Sequence, residues 1–201
     1  MIGQENAKVL DWKYAYLPII VLWITLAAVL GLPKYSLFSS CIQTLTLIFL
    51  TYMGHVLLHT VTVEHPLFIF NTHMFLHHSK EVIVDKRIEL FVEAIGDFWC
   101  FFSLIVFQYV YNLDIYSTSI ILFSGVLYII THIFDYSIYG NEKHGLHHKY
   151  LFCNYEPEFM DSLFGTRCRP EEDYTDMSIE FPHAILAFIV IGTLKLIFSL
   201  D

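Results

Sequence analysis

The sequence predicts an all-α integral membrane bundle of two transmembrane hairpins, with four or possibly five spans, under a cytoplasmic cap of histidine-rich helices. Three observations lead there. The 201-residue chain is 56% hydrophobic and has a mean hydropathy of +0.55, more apolar residue than a soluble core of this length requires. Four apolar runs approach the ~20 residues that a helix needs to cross hydrocarbon. Nine of the 11 histidines gather at one end of those runs. The length fits a single domain over residues 1–201.

The first run extends from about Tyr14 to Leu32 and stops at Pro33. The second covers Leu37 to Leu58, the third Ala94 to Leu113 and the fourth Ile115 to Ile133. A fifth, Ala184 to Leu200, is shorter and contains Lys195; it either spans with the lysine snorkelling or lies along the interface. Residues 33–36 and Asn112–Asp114 are very short connections, so runs one and two, and three and four, read as hairpins. The long polar stretches 60–93 and 134–183 then emerge on the side of the N-terminus.

Charge agrees with this topology. Lys8, Lys13, Lys80, Lys86, Arg87, Lys143, Lys149, Arg167 and Arg169 all fall on that side, against Lys34 on the other. The positive-inside rule makes it the cytoplasmic side. The net charge of −9 comes mostly from the acidic stretch between Glu156 and Glu180, which reads as a solvated face. Basic residues are too few and scattered for nucleic acid to be a partner. No cleavable signal peptide or lipid-anchor motif is expected. Cys41, Cys100, Cys153 and Cys168 include no CxxC pair. They are expected to be free thiols in a reducing compartment, neither a disulfide framework nor a thiolate metal site.

The histidines carry the chemistry. His55 and His59, four apart at the cytoplasmic end of the second run, point from one helix face. His73, His77 and His78 follow as HxxxHH. His132 sits near the cytoplasmic end of the fourth run, and His144, His147 and His148 follow as HxxHH. Two imidazoles three or four apart chelate one ion, and an adjacent third reaches a neighbouring ion. Nine imidazoles converging on one side suit two metals with open positions. His65 and His183 lie outside any group and read as ordinary interface residues.

On these residues the chain resembles the fatty acid hydroxylase/sterol desaturase superfamily of membrane di-iron oxygenases. The carrying motifs are His55-Val-Leu-Leu-His59, His73-Met-Phe-Leu-His77-His78 and His144-Gly-Leu-His147-His148. Asn154-Tyr155 and Asp161-Ser-Leu-Phe-Gly165-Thr166 follow them, and the likeness covers residues 45–170. Three departures stand out. The middle motif has one residue more than is common before its His-His pair. Tyr136 stands where another histidine is frequent, and Met160 where an aromatic is usual.

The resemblance implies that the nine histidines ligate two iron ions, zinc taking their place on expression in some hosts. It further implies that O2 is co-substrate and that a membrane lipid (fatty acyl, sterol or sphingolipid) is hydroxylated or desaturated. Asp135, Glu142 and Asp161 are candidates to orient the imidazoles, with Tyr136 and Asn154 beside them. No flavin or haem domain is evident, so electrons are expected from an external donor such as cytochrome b5 and its reductase. The endoplasmic reticulum is the expected location in a eukaryote, the inner membrane in a bacterium. Two other classes use the same residues: a catalytically silent lipid-binding relative, and a membrane metal-binding or transport protein.

Overall fold

The computed structural model describes residues 12–32, 34–61, 64–66, 71, 73–78, 85–138, 140, 142–168 and 180–200. Among them every regular element is helical. Helix α1 spans Trp12–Gly31 and α2 Leu37–Thr60. A π-helical turn, His73–His77, precedes α3, Lys86–Val110. Helix α4, Thr118–Ile130, continues into a π-helical segment, Thr131–Ile138. The short helices α5, Glu142–Tyr150, and α6, Glu158–Phe164, lead to α7, Glu180–Phe198.

Helices α2, α3 and α7 are long and apolar enough to cross a membrane, while the apolar stretches Tyr16–Gly31 and Thr118–Phe134 are shorter. Large apolar side chains such as Leu57, Phe107 and Ile189 face outward, which suits a lipid environment better than water. The inner core is built from Tyr16, Ile19, Ala27, Leu47, Ile120, Phe123, Ala187 and Ile191, contributed by α1, α2, α4 and α7. Helix α3 packs on α4, where Gly125 lets the Phe101 side chain approach closely.

Both short connections lie at one end of the bundle, as two hairpins require. Lys34 and Asp114 form an ion pair at 2.8 Å across them, and the Tyr35 hydroxyl donates to the same carboxylate. The turn into α4 is held by buried amides. Gln108 accepts from the Ile115 and Tyr116 N–H groups, and Gln43 accepts from the Ser117 N–H at 2.9 Å. The Ser117 hydroxyl then caps α4 by accepting from the Ile120 N–H.

Helix α7 packs on both α1 and α4. The Lys195 ammonium donates to the Leu30 carbonyl at 2.7 Å, and Glu180 lies beside Thr131 at the opposite end. Lys195, expected to snorkel from a span or to lie at the interface, satisfies an orphan carbonyl at the end of α1.

Two expectations change. The third apolar run begins as a helix well before Ala94: α3 starts at Lys86, with Asp85 accepting from the Arg87 N–H as its cap. Hydropathy detects only the apolar part of a helix and misses its polar first turns. Cys153 and Cys168 are joined in a disulfide, while Cys41 and Cys100 are free. The expectation of free thiols therefore fails for this pair. The chain between them folds back on itself, Asn154 N–H donating to the Thr166 carbonyl and Cys168 N–H to the Asn154 side-chain oxygen. That turn brings the two sulfurs together, and sequence separation alone does not reveal it.

Candidate metal centre

All nine histidines singled out by spacing come together at the end opposite the short connections. The C-terminal end of α2 offers His55 and His59 from one face. Asn71 ties the following π-helical turn to that end: its side-chain amide donates to the Leu58 carbonyl at 2.7 Å, and its oxygen accepts from the Met74 N–H. His73 is thereby set against His55 and His59. The π-helical winding of Thr131–Ile138 widens the helix where His132 leaves it, a deviation that recurs at functional sites. On α5, His144 and His148 share a face, while His147 packs against the His55 and His59 rings at 4.9 and 4.6 Å between centroids.

The imidazoles fall into overlapping groups whose nitrogens lie within 4.8 Å of one another: His55, His59, His73, His78 and His147; His77, His78 and His148; His77, His132 and His144. Their geometry is not that of a hydrogen-bonded network. His73 Nε2 lies 3.0 Å from His55 Nε2, and 3.1 Å from both His59 Nε2 and His78 Nε2. A ring nitrogen carries either one proton or one lone pair and cannot serve three such partners. Nitrogens converging in this way fit a common metal ion.

Burial strengthens the case. Both nitrogens of His77 and Nε2 of His147 are buried without a hydrogen-bond partner among the described residues. Such atoms are costly in a folded interior unless something else satisfies them. Desolvation, helped by the neighbouring rings, holds His73, His77, His78 and His144 well below the ordinary imidazole range. It pushes His147 down to about 3 and His148 to about 4. These imidazoles are therefore neutral, the form that ligates.

Outer contacts fix the ring tautomers. His147 Nδ1 donates to the Cys153 carbonyl at 2.6 Å, which leaves Nε2 as a lone pair facing the group. His132 Nδ1 donates to Asp97 Oδ2 at 2.9 Å. Glu93 Oε1 lies 3.2 Å from His77 Nδ1 and from His132 Nε2, and Glu156 lies 3.6 Å from His144 Nδ1.

Sequence reasoning missed these acids. Neither Glu93 nor Asp97 was singled out: Asp97 falls inside the third apolar run and Glu93 immediately before it. The usable signal was the i,i+4 spacing of Glu89, Glu93 and Asp97, which puts three carboxylates on one helix face.

The acids chosen from the sequence have other positions. Asp161 is fully buried and accepts from the Tyr155 and Glu156 N–H groups and the Thr166 hydroxyl. Burial pushes its carboxyl up to about 6, against the pull of those donors. Asn154 and Asp161 hold the loop that carries the Cys153 carbonyl. The loop also carries Tyr155, whose ring packs edge-on against His55, His59 and His147. The side chains of Asp135, Tyr136 and Glu142 lie outside the described residues. His65 is exposed and His183 lies in the first turn of α7, neither within a metal-capable group.

A cleft of about 580 Å³ leads to the cluster between α2 and α3. Its apolar lining includes Leu47, Leu50, Leu57, Val92, Trp99 and Leu104, and His55, His73, His77 and Glu93 also line it. Leu57 and Trp99, both exposed, place one mouth on the outward face of the bundle. Comparison with protein-family models, curated proteins and solved structures yields no match to this chain.

Proposed function

We propose that this protein is a membrane oxygenase that hydroxylates or desaturates a lipid chain at a two-iron centre. The convergence of His55, His59 and His78 on His73 Nε2, beside an apolar cleft that His55 and His73 line, carries the reading. One ion is assigned to His55, His59, His73, His78 and His147. The other is assigned to His77, His132 and His144, with His148 between the two. Iron bound there supplies, with O2 and electrons from an external carrier such as cytochrome b5, the oxidising power for an unactivated C–H bond that no side chain provides.

The chain's own residues supply the rest. The cleft volume lies in the range of small-molecule sites, about 300–1,000 Å³, and its walls hold an apolar chain and exclude water. The Cys153 carbonyl and Asp97 keep His147 and His132 in the tautomers that face inward. The Lys/Arg bias supports a cytoplasmic face for the cluster, in the endoplasmic reticulum of a eukaryote or the inner membrane of a bacterium.

The test is elemental analysis of detergent-purified protein loaded anaerobically with ferrous iron, beside lipid profiling of an expressing host. Two irons per chain, lost in a His77→Ala/His147→Ala variant, together with a new hydroxylated or unsaturated lipid, are the expected results. Absence of bound metal after loading sinks the proposal. Two bound ions without any change in lipids reduce it to a metal-binding membrane protein.

A further inference from the structure

The two halves of the histidine cluster differ in their carboxylates. Around His55, His59, His73, His78 and His147 the nearby ligand atoms among the described residues are imidazole nitrogens. Around His77, His132 and His144 stand Glu93, Asp97 and Glu156, with side chains 4%, 13% and 10% exposed. We infer that the Glu93 carboxylate is a direct ligand of the ion held by His77, His132 and His144. One site is then all-imidazole and the other mixed imidazole–carboxylate. This rests on the two-metal reading above and adds a ligand to it.

The distances carry the argument. Glu93 Oε1 lies 3.2 Å from both His77 Nδ1 and His132 Nε2. Donors bound to one ion at about 2.1 Å stand roughly 3.0–3.4 Å from one another. A carboxylate that only oriented His77 would accept a hydrogen bond from it, yet both His77 nitrogens are buried with no hydrogen-bond geometry to any neighbour. His132 already has Asp97 on its Nδ1, so its Nε2 is the atom turned toward Glu93.

Charge points the same way. Neutral imidazoles compensate none of the positive charge of two divalent cations in a buried site, and such charge is costly unless an anion lies beside it. Glu93 is the buried anion that two of the imidazoles already contact. Glu89 also stands near His77 and Glu93, but it is more exposed, pairs with Lys86 at 2.9 Å and lies 3.9 Å from His77, farther than Glu93 does.

The experiment is metal titration of full-length wild type, Glu93→Gln and Glu89→Gln in detergent, using ferrous iron and, separately, zinc, read by elemental analysis after gel filtration. Two ions in wild type and in Glu89→Gln are expected, with Glu93→Gln keeping one ion and binding the second at least about 100-fold more weakly. Retention of two ions at wild-type affinity in Glu93→Gln overturns the inference and leaves the two-metal reading standing. No metal in wild type overturns both.

Should Glu93→Gln lose its helical circular dichroism, the wild-type protein carries the test. A metal-minus-apo infrared difference spectrum of protein with ¹³C-carboxyl glutamate reads the coordination directly. A shifted labelled carboxylate band supports ligation by Glu93, and its absence overturns it.

Discussion

The two ends of the bundle solve the problem of buried polarity in opposite ways. At the end with the short connections, polar groups satisfy one another: Gln43 and Gln108 hold the turn into α4, Lys195 caps α1, and Asp114 gathers Lys34 and Tyr35. At the other end, nine imidazoles crowd together, and several of their nitrogens, among them both of His77, have no hydrogen-bond partner among the described residues. Among the described residues the first end satisfies most of its polar groups from the chain itself, the buried Ser40 hydroxyl excepted. The second has the donor set for an ion, and its ordering is expected to depend on one.

Removal of metal should break the contrast most severely. With ligand a thousandfold above its Kd, each ion contributes about 4 kcal/mol, so chelation should lower the melting temperature strongly. His73→Ala should reproduce about half of that loss and reduce, without abolishing, the response to chelator. Thermal unfolding with and without chelator checks both, and an unchanged melting temperature would show that the histidine end stands without metal.

Next in size is the disulfide beneath the cluster. Closing a loop of this length, 15 residues in separation, stabilises by about 3 kcal/mol. Cys153→Ser/Cys168→Ser should lose roughly that in denaturant titration and weaken metal binding, because the Cys153 carbonyl holds His147.

The opposite end gives smaller effects. Gln43→Ala leaves the buried Ser117 N–H without its acceptor and should cost about 1–3 kcal/mol with metal content unchanged. Asp114→Asn removes an ion pair that is largely open to solvent. It should cost less than about 1 kcal/mol, measured in the same titration. Loss of metal in either variant would mean that the two ends are coupled through α4.

The histidine cluster was legible in sequence because its spacing is that of helix faces: His55 with His59, His73 with His77, His144 with His148. The hairpins were legible because apolar runs and short connections need no long-range knowledge. Glu93 and Asp97 were not, since their role arises only when α3 is laid beside His77 and His132. The Cys153–Cys168 pairing depends on a turn organised by Asn154, Asp161 and Thr166, none of which announces a disulfide. That pairing also bears on orientation. Lysines and arginines assign this end to the cytosol, whereas disulfides persist chiefly in oxidising compartments. The signals oppose one another, and a membrane-impermeant thiol reagent applied to reduced, sealed vesicles distinguishes them.

The slot between α2 and α3 has a kinetic consequence. A molecule that enters through its outward mouth arrives by two-dimensional diffusion, so its effective concentration is a mole fraction within the leaflet rather than a molarity in water. Detergent molecules share that phase and compete for the mouth formed by Leu57 and Trp99. Occupancy of the slot should therefore follow surface dilution: it falls as detergent is added at constant total ligand and recovers when the protein is returned to a bilayer.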